Sequence, residues 1–264
     1  MADSDAVRGA GLPERLPAAQ TPSGPDLPAA EPERVMTLVD HLTELRTRIV
    51  RSILAVVVGS AIGFAVAPAI KQFLVGPLPA SALPLQVLGP GDAFGIQLRI
   101  AVVVGVILAM PVLLYQLWAF VAPGLTPTER RALRPWIPLA LFFFVLGVTI
   151  AYVILPFAIG FLLAFTDDVI VAHLAAPPYF DFVTTMFLAF GLLMEFPIVL
   201  YALARVGILS SARLRSSRRM VILGIAIFAA VATPGGDLVS PTILGGTMYV
   251  LFELTLIAIR RSGR

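Results

Sequence analysis

The stretch IAVVVGVILAMPVLLYQLWAF, Ile100–Phe120, carries no charge and reaches the roughly 20 residues that a helix needs to cross the hydrocarbon core of a bilayer. It belongs to a series of six apolar segments, at about 48–69, 93–120, 135–156, 182–204, 220–233 and 242–259. With 58% hydrophobic and 13% charged residues, the chain is too apolar for an ordinary soluble domain. The positive charges mark its sidedness. Seventeen of the nineteen Lys and Arg lie in the tail, before the first segment, after the last, or in the second and fourth gaps, while Lys71 and Arg99 flank the first gap. The positive-inside bias then places both termini in the cytoplasm. The net charge of +3 follows from this distribution by leaflet and is no sign of nucleic-acid affinity.

The absence of cysteine removes disulfides, thiolate metal sites and cysteine nucleophiles together. Residues 1–36 have no apolar core, so they read as a disordered cytoplasmic tail ahead of a membrane domain over 37–261. The last two segments offer only about 21 Å and about 27 Å of helix, less than the bilayer core, so this half is expected to thin the membrane. Pro156 is expected to end the third span, with Phe157–Phe165 continuing as an outer-surface helix, and Pro111 to kink the second. The first outer loop, with Pro77, Pro79, Pro84 and Pro90 in an apolar stretch, is expected to form a packed cap.

Five acids stand out. Glu44 lies in DHLTELRTR (Asp40–Arg48), where Leu38, Leu42, Leu45 and Ile49 recur at helical spacing, as in an amphipathic helix lying on the inner surface before it turns into the bilayer. Glu129 follows YQLWAFVAPGLTPT (Tyr115–Thr128) in the first inner loop. Taken alone, each is a surface glutamate satisfied by a nearby arginine, but both lie where an incoming cationic peptide would meet a carboxylate able to pair bidentately with guanidinium. Glu195 interrupts the fourth span, a depth at which carboxyls face an interior or a wet cavity; the structural alternative is a hydrogen bond between helices. Glu253, two turns from the inner end of the sixth span, is expected to snorkel toward Arg260 or the headgroups. Asp237, in the TPGGD turn from Thr233, reads equally as a cap for the sixth helix.

In order along the chain, the motifs are HLTELR (His41–Arg46), LYQLWAFVAPGL (Leu114–Leu125), ERR (Glu129–Arg131), FLAFGLLMEFP (Phe187–Pro197), TPGGD (Thr233–Asp237) and MYVLFE (Met248–Glu253). Together they resemble the TatC family, the multi-spanning core of the twin-arginine protein translocase. The resemblance implies an all-α polytopic fold of six transmembrane helices, the last two short, N-in and C-in, in a concave glove-like bundle of the bacterial plasma membrane. It implies a receptor for twin-arginine signal peptides that recruits TatA- and TatB-type single-span partners and a homo-oligomer within a TatB–TatC complex. Export of folded proteins would draw on the proton gradient, with no cofactor.

Carried over by position, Glu44, Glu129, Arg46, Phe120 and Leu125 would bind the signal peptide, and Glu195 would be the intramembrane polar residue. Pro77, Thr233, Asp237 and Met248 would form the outer cap and partner contact. One departure is Pro241 after Ser240, where many members have glutamine, so the polar contact to a TatA-type partner at that point is not implied here.

Rival readings fit less well. A secondary transporter predicts inverted repeats and several ionisable groups at depth, and the sequence has neither. An intramembrane hydrolase would need a nucleophile elbow, a His-Glu-x-x-His helix or paired intramembrane aspartates, all missing. A plain anchor would need no acids at the inner rim or at depth.

Overall fold

The computed structural model describes residues 38–79, 82–166, 174–207, 209, 211–232 and 238–261. The tail over 1–36 and the turn holding Thr233 and Asp237 lie outside the described residues. Nine α-helices are described: α1 (Leu38–Val75), α2 (Asp92–Val121), α3 (Pro127–Leu133), α4 (Trp136–Leu163), α5 (Ala176–Leu193), α6 (Phe196–Arg205), α7 (Ser211–Ser216), α8 (Arg218–Ala232) and α9 (Val239–Arg261). Five stretches are long and apolar enough to cross a membrane: α1, α2, α3 with α4, α5 with α6, and α9.

The expected turn between a surface helix and the first span does not occur, because α1 is one helix of 38 residues, about 57 Å. No Gly or Pro stands between Leu38 and Val58 to break it. Its apolar and polar residues do not separate cleanly between the exposed side and the side facing α2. Leu42 and Ile49 are exposed, whereas His41, Glu44 and Arg48 are half-buried on the side facing α2.

What holds α1 to α2 is close backbone approach. A Cβ on Gly59 would lie 2.6 Å from the Gly105 carbonyl oxygen, and one on Gly63 would lie 2.5 Å from that of Ala101. Lipid gives two helices no hydrophobic reason to associate, so small residues four apart secure contact through dispersion and backbone proximity. The same device recurs between α4 and α5, where Gly147 meets the Phe190 backbone and Gly191 meets the Phe144 ring.

Proline acts differently at different sites. Helix α4 continues through Pro156 to Leu163, so the predicted end of the third span and the separate surface helix are both corrected. Pro68, Pro111 and Pro156 are all exposed, where the ring displaces no packing, and ending the helix in lipid would leave several backbone groups unpaired where Pro removes only one donor. The fourth span, by contrast, is broken in two at Met194–Glu195, just ahead of Pro197. The break keeps its backbone satisfied: Glu195 N donates to Leu192 O at 3.1 Å, and Glu195 O accepts from Ile198 N and Val199 N.

Helix α8, at 15 residues or about 22 Å, is short as expected. Helix α9 is not. It runs 23 residues, about 34 Å, because Val239, Ser240 and Pro241 form its first turn, where proline is tolerated, and Arg260 and Arg261 extend its last.

The loop between α1 and α2 is packed as a cap. Leu78 and Ala82 are buried, and Pro77 beside them is half-buried. Gln86 N donates to Leu174 O at 2.9 Å and Ala176 N to Gln86 O at 2.7 Å, joining this loop to the start of α5. Tyr179 donates its hydroxyl to Leu74 O, tying α5 to the end of α1.

Replacing Gly63 by Val should separate α1 from α2 and lower stability by on the order of 1–3 kcal/mol, as overpacking does. Gly246→Ala, in a helix and with nothing within 4 Å of its added Cβ, should cause no loss. Thermal unfolding in detergent compares the two; equal behaviour would show that the glycine contact contributes nothing.

Candidate functional site

The polar groups of the chain gather where apolar helices end. At the N-terminal end of α1 the side facing α2 presents His41, Glu44 and Arg48, spaced three and four residues apart and hence on one face. Opposite them, near the C-terminal end of α2, stand Gln116 and Phe120. Arg48 Nη2 lies 3.0 Å from Glu44 Oε1, and Nη1 donates to Gln116 Oε1 at 3.0 Å. Gln116 is buried at 8% exposure, and the His41 and Phe120 rings stack with centroids 4.4 Å apart. Glu44 thus gives one oxygen to Arg48. The other, Oε2, is buried with no hydrogen-bond partner among the described residues. A carboxylate oxygen so placed is costly until a donor reaches it.

Of the residues singled out in sequence, the structure joins Glu44 and Phe120 through this α1–α2 contact. Arg46, two residues from Glu44, is exposed. Leu125 packs against the core after the single 3₁₀ turn Ala122–Gly124. Glu129 takes a different role locally: it is the third residue of α3 in a capping box, accepting from Thr126 N at 3.1 Å while its own N–H donates to Thr126 Oγ1. Sequence reading treated Arg48 only as a topology marker and passed over Gln116. The i, i+4 spacing of Glu44 and Arg48 was the available signal. Nothing local marks Gln116.

Glu195 sits at the α5–α6 break, on the wall of a groove of about 450 Å³. Its neighbours there are apolar: Val199 from α6, Val221, Gly224 and Phe228 from α8, and Met248 from α9. Its Oε1 is buried without a hydrogen-bond partner among the described residues, so the interhelical hydrogen bond of the structural alternative is absent for that atom. Met248 is buried beside this groove, nine residues along α9 from Val239.

Two further acids pair across helices. Glu253 does not reach toward Arg260; its Oε2 meets Arg218 Nη2 at 2.5 Å, joining α9 to α8. Arg218 begins the short α8 and is thereby at the depth of Glu253, whereas Arg260 is seven residues further along α9. On α2, Arg99 is no loose flank of the outer loop. It forms an ion pair with Asp181 and donates to Thr184 and Thr185 hydroxyls at 2.9 Å, clamping α2 to α5. Among the described residues no group of three or more His, Cys, Asp or Glu is placed to hold a metal.

Residues 40–246 match the family model for TatC, the Sec-independent protein translocase protein. Curated relatives described as Sec-independent protein translocase protein TatC include one of Carboxydothermus hydrogenoformans, 35% identical over 225 residues, covering 85% of this chain and 93% of the relative. One of Aquifex aeolicus is 34% identical over 226 residues, covering 84% and 93%. Two crystal structures of the twin-arginine translocase receptor TatC superpose with TM-scores of 0.74 and 0.73, each at 34% identity; they cover 83% and 85% of this chain and 98% and 100% of theirs. On motif order, sequence and fold alike, the chain belongs to the TatC family, a membrane-embedded component of the Sec-independent protein translocase and not an enzyme.

Proposed function

We propose that this chain is the signal-peptide receptor of a twin-arginine translocase in the bacterial plasma membrane. It has six spans, counting the short α8, and both termini are cytoplasmic. The paired arginines of the signal dock against Glu44 and Glu129, the apolar part of the signal follows along the bundle toward Glu195, and TatA- and TatB-type single-span helices assemble on the receptor. The observation that carries the reading is the buried, unshared Oε2 of Glu44 at the end of the α1–α2 pair, a carboxylate position that a guanidinium completes. Phe120, stacked on His41, and Leu125 supply apolar surface beside it. Arg46 keeps the approach selective for a directed contact. Pro77, with Thr233 and Asp237, belongs to the outer cap. Energy comes from the proton gradient, since the chain has no phosphate-binding glycine loop.

The decisive experiment is charge removal without shape change. Glu129→Gln keeps the capping box, in which Gln serves at the third position as Glu does, and removes only the charge. It should weaken binding of a twin-arginine peptide by on the order of 1–3 kcal/mol, as should Glu44→Gln. Unchanged affinity in both would reduce the two acids to structural roles.

Topology is tested with single cysteines in this cysteine-free chain. Thr128 and Ser216 are exposed and belong to connections assigned to the inner side, while Leu88 and Leu238, at 79% and 69% exposure, belong to those assigned to the outer side; Ser240 is buried and unsuitable. Impermeant reagents added outside should label Leu88→Cys and Leu238→Cys only. Labelling of Thr128→Cys from outside would reverse the orientation.

Glu195 should serve a later step. Glu195→Ala is expected to bind the twin-arginine peptide normally yet recruit TatA-type partners poorly, because the groove lies deeper than the Glu44 pair. Normal recruitment and transport in that variant would remove Glu195 from the mechanism.

A further inference from the structure

We propose that Arg48 makes the receptor read arginine rather than positive charge, by neutralising Glu44 in advance. This rests on the reading of Glu44 as a signal-arginine receptor. A bare carboxylate at the membrane surface attracts any cation, lysine included. Glu44 is not bare: Arg48 pairs with Oε1, and the same guanidinium is anchored on the buried Gln116 by its other terminal nitrogen. The pair carries no net charge, so the long-range pull on a point charge is small. What remains is Oε2, buried and short of a donor.

A directional N–H completes that atom, and the cost of bringing the donor in is the loss of its water. A guanidinium is weakly hydrated and offers five donors in a plane, so one can reach Oε2 while others keep outside partners. A lysine ammonium is a compact, strongly hydrated charge that must shed more water for one contact. Arg48 therefore takes away the part of the attraction that lysine shares and leaves the part that favours arginine. Gln116 is what keeps Arg48 in place when the second guanidinium arrives: the two cations would otherwise repel, and Arg48 would swing off Glu44.

The test uses the full chain in detergent and two synthetic signal peptides that differ only in Arg-Arg versus Lys-Lys. Their dissociation constants are measured for the parent, Arg48→Gln, Arg48→Lys and Glu44→Gln. Arg48→Gln should bind the Lys-Lys peptide more tightly and shrink the Arg-Arg preference by about tenfold, with steeper salt dependence as expected for an unneutralised charge. Arg48→Lys, which restores the charge, should restore much of the preference. An unchanged preference in Arg48→Gln, or equal weakening of both peptides, would overturn the proposal, as would an Arg48→Lys variant that behaves like Arg48→Gln. If Glu44→Gln weakens Arg-Arg binding while Arg48→Gln leaves the preference intact, only this inference fails. If Glu44→Gln binds as the parent does, the receptor assignment of Glu44 falls as well.

Discussion

The backbone approach of α1 to α2 at Gly59, Gly63 and Gly105 is the contact on which the polar rim depends. In lipid, apolar side chains gain nothing by facing one another instead of acyl chains, so helices associate through close packing and the few polar contacts available. With side chains absent at the crossing, α1 and α2 lie close enough that four residues near the start of α1 and the end of α2 interlock. Arg48 meets Gln116 and His41 stacks on Phe120 because the glycines about three to six turns away permit it. A carboxylate half-buried between two helices needs such a pair of backbones.

Polar contacts then take the place of hydrophobic driving force elsewhere. Arg99 joins α2 to α5, and Glu253 joins α9 to α8. Each uses charges that would be expensive alone in lipid and are tolerable in pairs. Among the described residues, Glu44 Oε2, Glu195 Oε1, Glu253 Oε1 and Arg218 Nε are buried without hydrogen bonds, so even the Glu253–Arg218 pair leaves a polar atom on each partner unsatisfied.

Proline shows why local rules need tertiary context in a membrane. Pro111 and Pro156 pass within continuous helices because their rings face outward and a full break would leave more backbone unsatisfied. Pro197 instead follows a helix break, at the place where Glu195 turns into a groove shared by α6, α8 and α9. The residue type is the same. What differs is whether neighbouring helices can receive the irregular backbone.

Much was legible in the sequence. The apolar lengths marked the membrane-crossing helices and six motifs in order marked the family, because the bilayer imposes a length on helices that acts residue by residue. The packed first outer loop was also legible, since apolar residues between prolines have no reason to stay in water. The rest waited for the fold. The side of α1 that faces α2, the pairing of Glu253 with Arg218 and not Arg260, the Arg99 clamp, and the placement of Met248 beside Glu195 all depend on which helix lies against which. The single-chain pattern cannot specify that choice, because lipid and protein are equally apolar neighbours and the pattern that separates inside from outside in water is missing. Packing of small residues and the matching of a few charges across helices decide it, and these are relations between distant parts of the chain.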